Sequence, residues 1–300
     1  MEADRFSAFR HSSFTRYFGA RFLTAMGTQV TSVAVGWQIY DETGNAALLG
    51  WIGLVQFLPA VLLVLFTGLA SDRFGRRLIM GLSIVMEMSC AVMIFYLAIT
   101  KQFDPVLVLI VLTIFGVARA FLTPASSSLV VNVVPKEDFP NAIGWITSAW
   151  QLASIFGPVA GGLLYGISGP TAYMSAAVIF LIAAILTFSI PKPEQALEKS
   201  ATSLQTLLGG FSYIWKQKIV LGAISLDLFA VLLGGAVALM PIYAKDILDL
   251  GPTGLGLLRA APGIGAVMMI GWLTTFPVKD HAGIIPVSYT HLTLPTILLV

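Results

Sequence analysis

The 300-residue sequence predicts an all-α integral membrane protein, and three observations carry that prediction. Hydrophobic residues make up 57% of the chain against the roughly 45–50% of a soluble domain, and charged residues 11% against about a quarter. Mean hydropathy is +0.88. The apolar residues gather in runs near the ~20 residues that a helix needs to cross a hydrocarbon core, without the alternation of barrel strands.

Eight spans follow in order, at about 17–40, 47–70, 78–100, 105–131, 142–166, 171–190, 219–244 and 254–276, with short polar breaks between most of them. The amino terminus, MEADRFSAFRHSSFTRYFGARF, is mixed and basic rather than a short apolar core with a cleavage site, so the first run is read as a retained helix. With the amino terminus inside, the inner segments hold Arg5, Arg10, Arg16, Arg21, Arg73, Arg76, Arg77, Lys136, Lys192, Lys199, Lys216, Lys218 and Lys279, and the outer loops only Lys101 and Lys245. Positive charge marks cytoplasmic loops, so the expected amino terminus is cytoplasmic.

The longest connection, 191–218, reads as a cytoplasmic linker. Within it Leu204, Leu207, Leu208, Phe211, Ile214 and Trp215 recur at helical spacing, which suits a short amphipathic helix capped by Ser203 or Thr202. A shift of 203 positions aligns Ile39 with Ile242, Tyr40 with Tyr243, Gly53 with Gly256, Leu54 with Leu257, Pro59 with Pro262, Val64 with Val267 and Gly68 with Gly271. The offset covers six spans and the linker, so the repeat is parallel, as in transporters made of two six-helix halves. Such a repeat predicts four more helices after residue 276. Instead the chain closes with KDHAGIIPVSYTHLTLPTILLV, where Pro286, His291 and Pro295 interrupt a short polar-speckled run. PVSYTHLTLPT looks like translated adapter sequence, and residues 278–300 read as a doubtful tail of artefactual sequence.

Net charge is +2, which points to no nucleic-acid partner. The single cysteine, Cys90, lies inside an apolar run and excludes an intramolecular disulfide. His11, His281 and His291 are dispersed, and no metal-ligand cluster, Walker loop or nucleophile elbow is present. No enzyme activity, metal or bound cofactor is expected. Ser126 to Ser128 read as packing or cavity hydroxyls.

Between the second and third spans lies GLASDRFGRR. Gly68 would let two helices approach, Gly75 would allow a backbone turn, and Asp72 could cap the third helix or meet an arginine. The stretch resembles the loop of the major facilitator superfamily, G-x-L-A-D-R-x-G-R-K, with Gly68, Asp72, Arg73, Gly75, Arg76 and Arg77 filling the pattern; Ala70 and Ser71 depart mildly, and Arg77 stands for a lysine. In the fifth span Gly144, Ala153, Gly157, Pro158, Gly161 and Gly162 resemble the superfamily's antiporter motif, with Ala153 in place of its middle glycine. Small residues four apart suit close helix packing and Pro158 a bend. That likeness implies export. ARFLTAMGTQVTSVAVGWQIY, TPASSSLVVNVVPKEDFPNAIG and GPVAGGLLY resemble the enterobactin-exporter branch of bacterial efflux proteins.

Four ionisable residues fall within spans, Glu87, Arg119, Asp227 and Arg259. Each costs about 2.5–3.5 kcal/mol at a helix centre on insertion scales and is expected to face a cavity or a partner. Glu87 is expected to pair with Arg119, and Asp227 to bind the transported proton; the resemblance implies a proton-coupling role for an arginine in the fourth helix. Gln29, Gln38, Gln56, Trp150 and Gln151 are candidates to line a central cavity.

The resemblance therefore implies a major-facilitator-type bundle with about eight of twelve helices present. Residues 1–190 would form a six-helix half, 191–218 the linker, and 219–277 the first two helices of a second half. It implies a monomer in the bacterial inner membrane that exports a small organic molecule, such as a siderophore or drug, on the proton gradient. A non-transporting receptor or scaffold, or an inactive fragment of an exporter, is the other reading.

Overall fold

The computed structural model describes residues 5–192 and 235–275, together with 215, 217, 221, 222 and 225. The predicted linker helix, most of the seventh span with Asp227, and the tail after 278 lie outside these residues. The described elements are helical throughout. After a 3-10 turn at Ser7–Arg10 come α1 (Ser12–Thr43), α2 (Ala46–Phe74), α3 (Arg76–Ile99), α4 (Pro105–Val133), α5 (Phe139–Ile167) and α6 (Gly169–Ser189). Gly235–Ile247 winds through 3-10, α and π turns before α7 (Gly251–Thr275), the eighth predicted span.

Local chemistry sets the boundaries. α1 stops at Gly44, whose φ of 59° is left-handed and open to glycine at little cost. The side chains of Asn45, Asp104 and Ser168 then accept hydrogen bonds from the free first-turn amides of Ala47, Val106 and Thr171. Pro105 and Pro170 sit in the first turns of α4 and α6, where a missing N–H costs nothing.

Among the described residues five helices are long and apolar enough to cross a membrane, on α2, α3, α4, α6 and α7. α1 and α5 are as long, but carry Thr24, Gln29, Thr31, Ser32 and Gln38, and Thr147, Ser148, Gln151 and Ser154. Gln38, Gln151 and Ser32 bond groups on other helices, whereas Thr24, Thr31, Thr147 and Ser148 bond carbonyls of their own helix, so α1 and α5 are less apolar than the others while both helices form where predicted. On the outside, Val106, Ile110 and Ile114 of α4 and Met174, Val178, Ile182 and Ile185 of α6 form exposed stripes at helical spacing, as a lipid-facing surface requires.

The main packing contacts run in the order α2, α4, α3, α6, α1, α5, α7, with weaker contacts of α1 to α2 and α4 behind them. The core lies among α1, α3, α4 and α6, where Phe14, Tyr17, Ile39, Ile84, Leu112, Phe115, Tyr173 and Phe180 are enclosed. Gly116 permits the α2–α4 contact, since a Cβ there would lie 2.7 Å from the Gln56 carbonyl oxygen.

The end of the bundle that carries the amino terminus is laced by polar contacts. His11 Nε2 lies 2.8 Å from Asp138 Oδ2, and Asn141 Nδ2 and Trp145 Nε1 donate to the Arg5 carbonyl at 2.9 and 3.0 Å. The hydrogen bonds from His11 and Ser7, in that order, hold the Asp138 carboxyl below its ordinary range. Phe6, Phe9 and Phe18 pack around Trp145.

Candidate functional site

A cavity of about 710 Å³ lies between α1, α2, α4, α5 and α7. Its polar lining is Gln29 and Ser32 of α1, Gln56 and Thr67 of α2, Arg119 and Thr123 of α4, and Arg259 of α7. Leu49, Ile52, Phe57, Ala60 and Pro124 supply apolar walls, and Pro158, Val237 and Ala238 complete one side. The volume is within the roughly 300–1,000 Å³ of pockets that hold drug-sized ligands.

Arg259 Nη1 donates to Ser32 Oγ at 2.7 Å, while its Nε is enclosed without a hydrogen-bond partner. Arg119 is exposed into the cavity. Glu87 is fully buried on α3, and neither carboxylate oxygen has a hydrogen-bond partner. The expected Glu87–Arg119 ion pair is thus not made. The two residues match in depth, but Arg119 extends into the cavity and Glu87 sits in the α3 core, beside it only at electrostatic range.

The five candidate lining residues divide. Gln29 and Gln56 line the cavity. Gln38 does not, because its Oε1 accepts a 2.6 Å hydrogen bond from the Tyr173 hydroxyl in the α1–α6 core. Gln151 does not either; its Nε2 donates to the Gly263 carbonyl at 3.0 Å and joins α5 to α7. Trp150, beside the buried Ala149 on α5, is also outside the lining.

The loop-motif residues serve several ends. Gly75 has φ 93°, closes α2 and opens α3, and its carbonyl accepts from Ile79 N–H. The N-cap position of α3 is therefore Gly75 rather than Asp72, whose side chain lies outside the described residues. Arg76 Nη1 donates to Ser128 O at 3.1 Å and to Asn132 Oδ1 at 2.9 Å, tying α3 to α4. Arg77 donates to the Ile190 carbonyl and Arg16 to the Ser189 carbonyl, so two cations meet the free carbonyls ending α6. Arg73 lies over the Phe74 ring, 5.8 Å from its centroid. Among the described residues a Cβ on Gly68 would meet nothing within 4 Å, so no described neighbour is brought close there, and the residue faces the cavity.

The helix-five motif packs two ways. A Cβ on Gly157 would lie 2.6 Å from Gln29 Cβ, and one on Gly161 3.0 Å from Val30 Cα, so this edge meets α1. Gly162 meets α7, where its Cβ would lie 2.6 Å from Pro252 O. Ala153 is fully buried, and Gly144 has open space around it.

Away from the amino-terminal face, polar contacts join the end of α1 to the turn that precedes α7. Tyr40 donates to Asp246, and Lys245 Nζ reaches Asp41 Oδ1 at 2.6 Å. Ser32 and Thr67 in the cavity, and Arg21 with Tyr17 on Ser126, were not predicted as contacts. Small hydroxyls in apolar helices carry little sequence signal, since most simply bond their own i−4 carbonyl, as Thr31 does.

A model of the Major Facilitator Superfamily matches residues 17–298. The chain belongs to the major facilitator superfamily. Proteins it is similar to include the uncharacterized MFS-type transporter YkuC of Bacillus subtilis, 25% identical over 91% of this chain and 67% of that protein. Macrolide efflux protein A of Streptococcus pyogenes is 24% identical over 87% of this chain and 65% of its own length. The staphyloferrin A transporter of Staphylococcus aureus is 21% identical over 60% of this chain and 47% of its own. Among solved structures, the nucleoside transporter NupG superposes with a TM-score of 0.65 at 16% identity, over 88% of this chain and 67% of that one. A bacterial homolog of the human lysosomal transporter Spinster, inward-facing and occupied, gives 0.64 at 15% identity over 92% and 63%. The chain thus spans about two thirds of the length of YkuC and of macrolide efflux protein A. The fold is that of a multi-pass membrane transporter, and the family's members are transporters rather than enzymes.

Proposed function

We propose that the chain works in a proton-driven secondary exporter that moves a small organic molecule, a siderophore or a drug, out of a bacterial cell by alternating access. The observation that carries this reading is the central cavity of about 710 Å³ beside the close α5–α7 seam. Among the described residues the close α5–α7 contacts run from Pro252 to Gly263, the amino-terminal part of α7. With the amino terminus in the cytoplasm, as the basic inner segments favour, that part of the seam faces outward and solute enters from inside.

Relatives named for macrolide efflux and staphyloferrin A transport support export of small organic solutes. For coupling, Glu87 is the described carboxyl best suited to carry a proton. Enclosing a carboxylate without a partner is far more costly than enclosing a carboxylic acid, so the proton and the site stabilise each other. Asp227 is a second candidate from its position in the seventh span.

The test is flux. The chain reconstituted in proteoliposomes should drive movement of a fluorescent solute that collapses when an uncoupler dissipates the proton gradient. Saturable binding with no flux would overturn the exporter reading in favour of a receptor.

A further inference from the structure

We propose that the cavity selects an anionic, partly apolar solute, whose acidic group is held by Arg119 from the α4 wall and Arg259 from the α7 wall. This inference rests on the transporter reading for its purpose, but its chemistry is that of the cavity alone. The two guanidiniums line one space, and no carboxylate lines it among the described residues.

Neither cation is spent on the protein. Arg259 uses Nη1 on Ser32 and leaves Nε enclosed without a partner, while the Arg119 side chain makes no hydrogen bond or ion pair among the described residues. Glu87, the acidic group nearest in sequence depth, is fully buried outside the lining and does not neutralise Arg119 by contact. A guanidinium is a rigid planar fork that matches a carboxylate, sulfonate or phosphate oxygen pair. Two such forks in a low-dielectric space favour an anion there and repel a cation by the same Coulomb term. Gln29 and Gln56 add neutral amides that can accept or donate. Ile52 and Phe57 give the rest of the solute an apolar wall.

The experiment compares two dyes on one xanthene frame, anionic fluorescein and cationic tetramethylrhodamine methyl ester. Their binding to the chain in lipid nanodiscs is read by fluorescence anisotropy, with empty nanodiscs as baseline. Fluorescein should bind about tenfold or more tightly than the cationic dye, as charge-assisted hydrogen bonds predict. Arg119→Gln and Arg259→Gln should each weaken fluorescein about tenfold, and Arg119→Lys and Arg259→Lys should restore part of the loss. The charge preference of the unaltered chain needs no variant, so a variant that fails to fold leaves the comparison intact. Equal or tighter binding of the cationic dye, binding of neither dye, or folded Gln variants that keep full fluorescein affinity would each overturn the proposal. Flux of the cationic dye alone would sink the anion site and spare the exporter, whereas fluorescein binding through the arginines without flux would do the reverse.

Discussion

Gly162 of α5 and Gly256 of α7 pack backbone against backbone: a Cβ on Gly162 would lie 3.0 Å from Gly256 Cα, and one on Gly256 would lie 2.5 Å from the Pro158 carbonyl oxygen. No side chain stands between the two helices at this level, and the obstructing atoms are main chain, which cannot rotate aside.

A single methyl therefore opens the seam. Gly256→Ala should cost about 1–3 kcal/mol of the closed arrangement, the usual range for overpacking. Cys90 is the only cysteine, so replacing it with alanine and placing a cysteine at Thr253, which sits in the seam beside Gly166, gives a clean reporter. Maleimide labelling of that thiol in detergent should rise about tenfold in the Gly256→Ala protein. Unchanged labelling would show that α5 and α7 adjust without parting.

At the same end of the bundle the Lys245–Asp41 pair is partly exposed, with side chains 36% and 43% accessible. Such pairs contribute about 0–1 kcal/mol and are screened by salt. Asp41→Asn should thus raise Thr253→Cys labelling only about two- to fivefold at low salt, with the difference shrinking at high salt. The exchanged pair, Asp41→Lys with Lys245→Asp, should return labelling toward its original rate. Failure of the exchange to restore it would mean that the backbone contact of Lys245 with the Asp41 carbonyl, at 3.2 Å, matters more than the charge.

At the opposite end, Asp138 has a carboxyl held below its ordinary range by the His11 and Ser7 hydrogen bonds. A depressed folded value means stability that is complete above the unfolded carboxylate value and lost as pH falls through the folded one. The stability difference between the unaltered chain and Asp138→Asn should accordingly be flat above about pH 4 and close as the pH drops below it. Thermal unfolding across a pH series reads this. A difference that persists unchanged in acid would assign the contact to something other than the ionised carboxyl.

How far the sequence carried the structure can be judged helix by helix. Ends were legible because polar breaks carry local chemistry, and the six helices from Ser12 to Ser189 begin and end within about five residues of the predicted spans. Azimuth was not. In a helix apolar on all sides, lipid and protein interior favour the same side chains, so depth along the axis is readable and direction around it is not. Gln29 and Gln38 are both glutamines of α1, yet one lines the cavity and the other serves Tyr173. Glu87 and Arg119 share a depth and face different spaces for the same reason. The 203-residue repeat has the same limit: Gly256 is clamped on α5, whereas its mate Gly53 has open space and lines the cavity.

Glu87 offers the sharpest test of coupling. Its carboxyl is fully buried where α3 packs on α4 and α6, with no donor on either oxygen and with Arg119 and Arg21 at electrostatic range. Glutamine has nearly the same shape and carries no proton to exchange, so Glu87→Gln should fold and keep solute affinity within about twofold, as conservative core changes do. If the proton rides on Glu87, this variant should lose about tenfold or more of gradient-driven flux, while solute exchange at equal pH on both sides continues. Glu87→Ala, which leaves a cavity, should instead cost about 2–4 kcal/mol of stability and separate packing from protonation. Full gradient-driven flux in Glu87→Gln would move the coupling to another group, and Asp227→Asn under the same assay would then be the next variant to read.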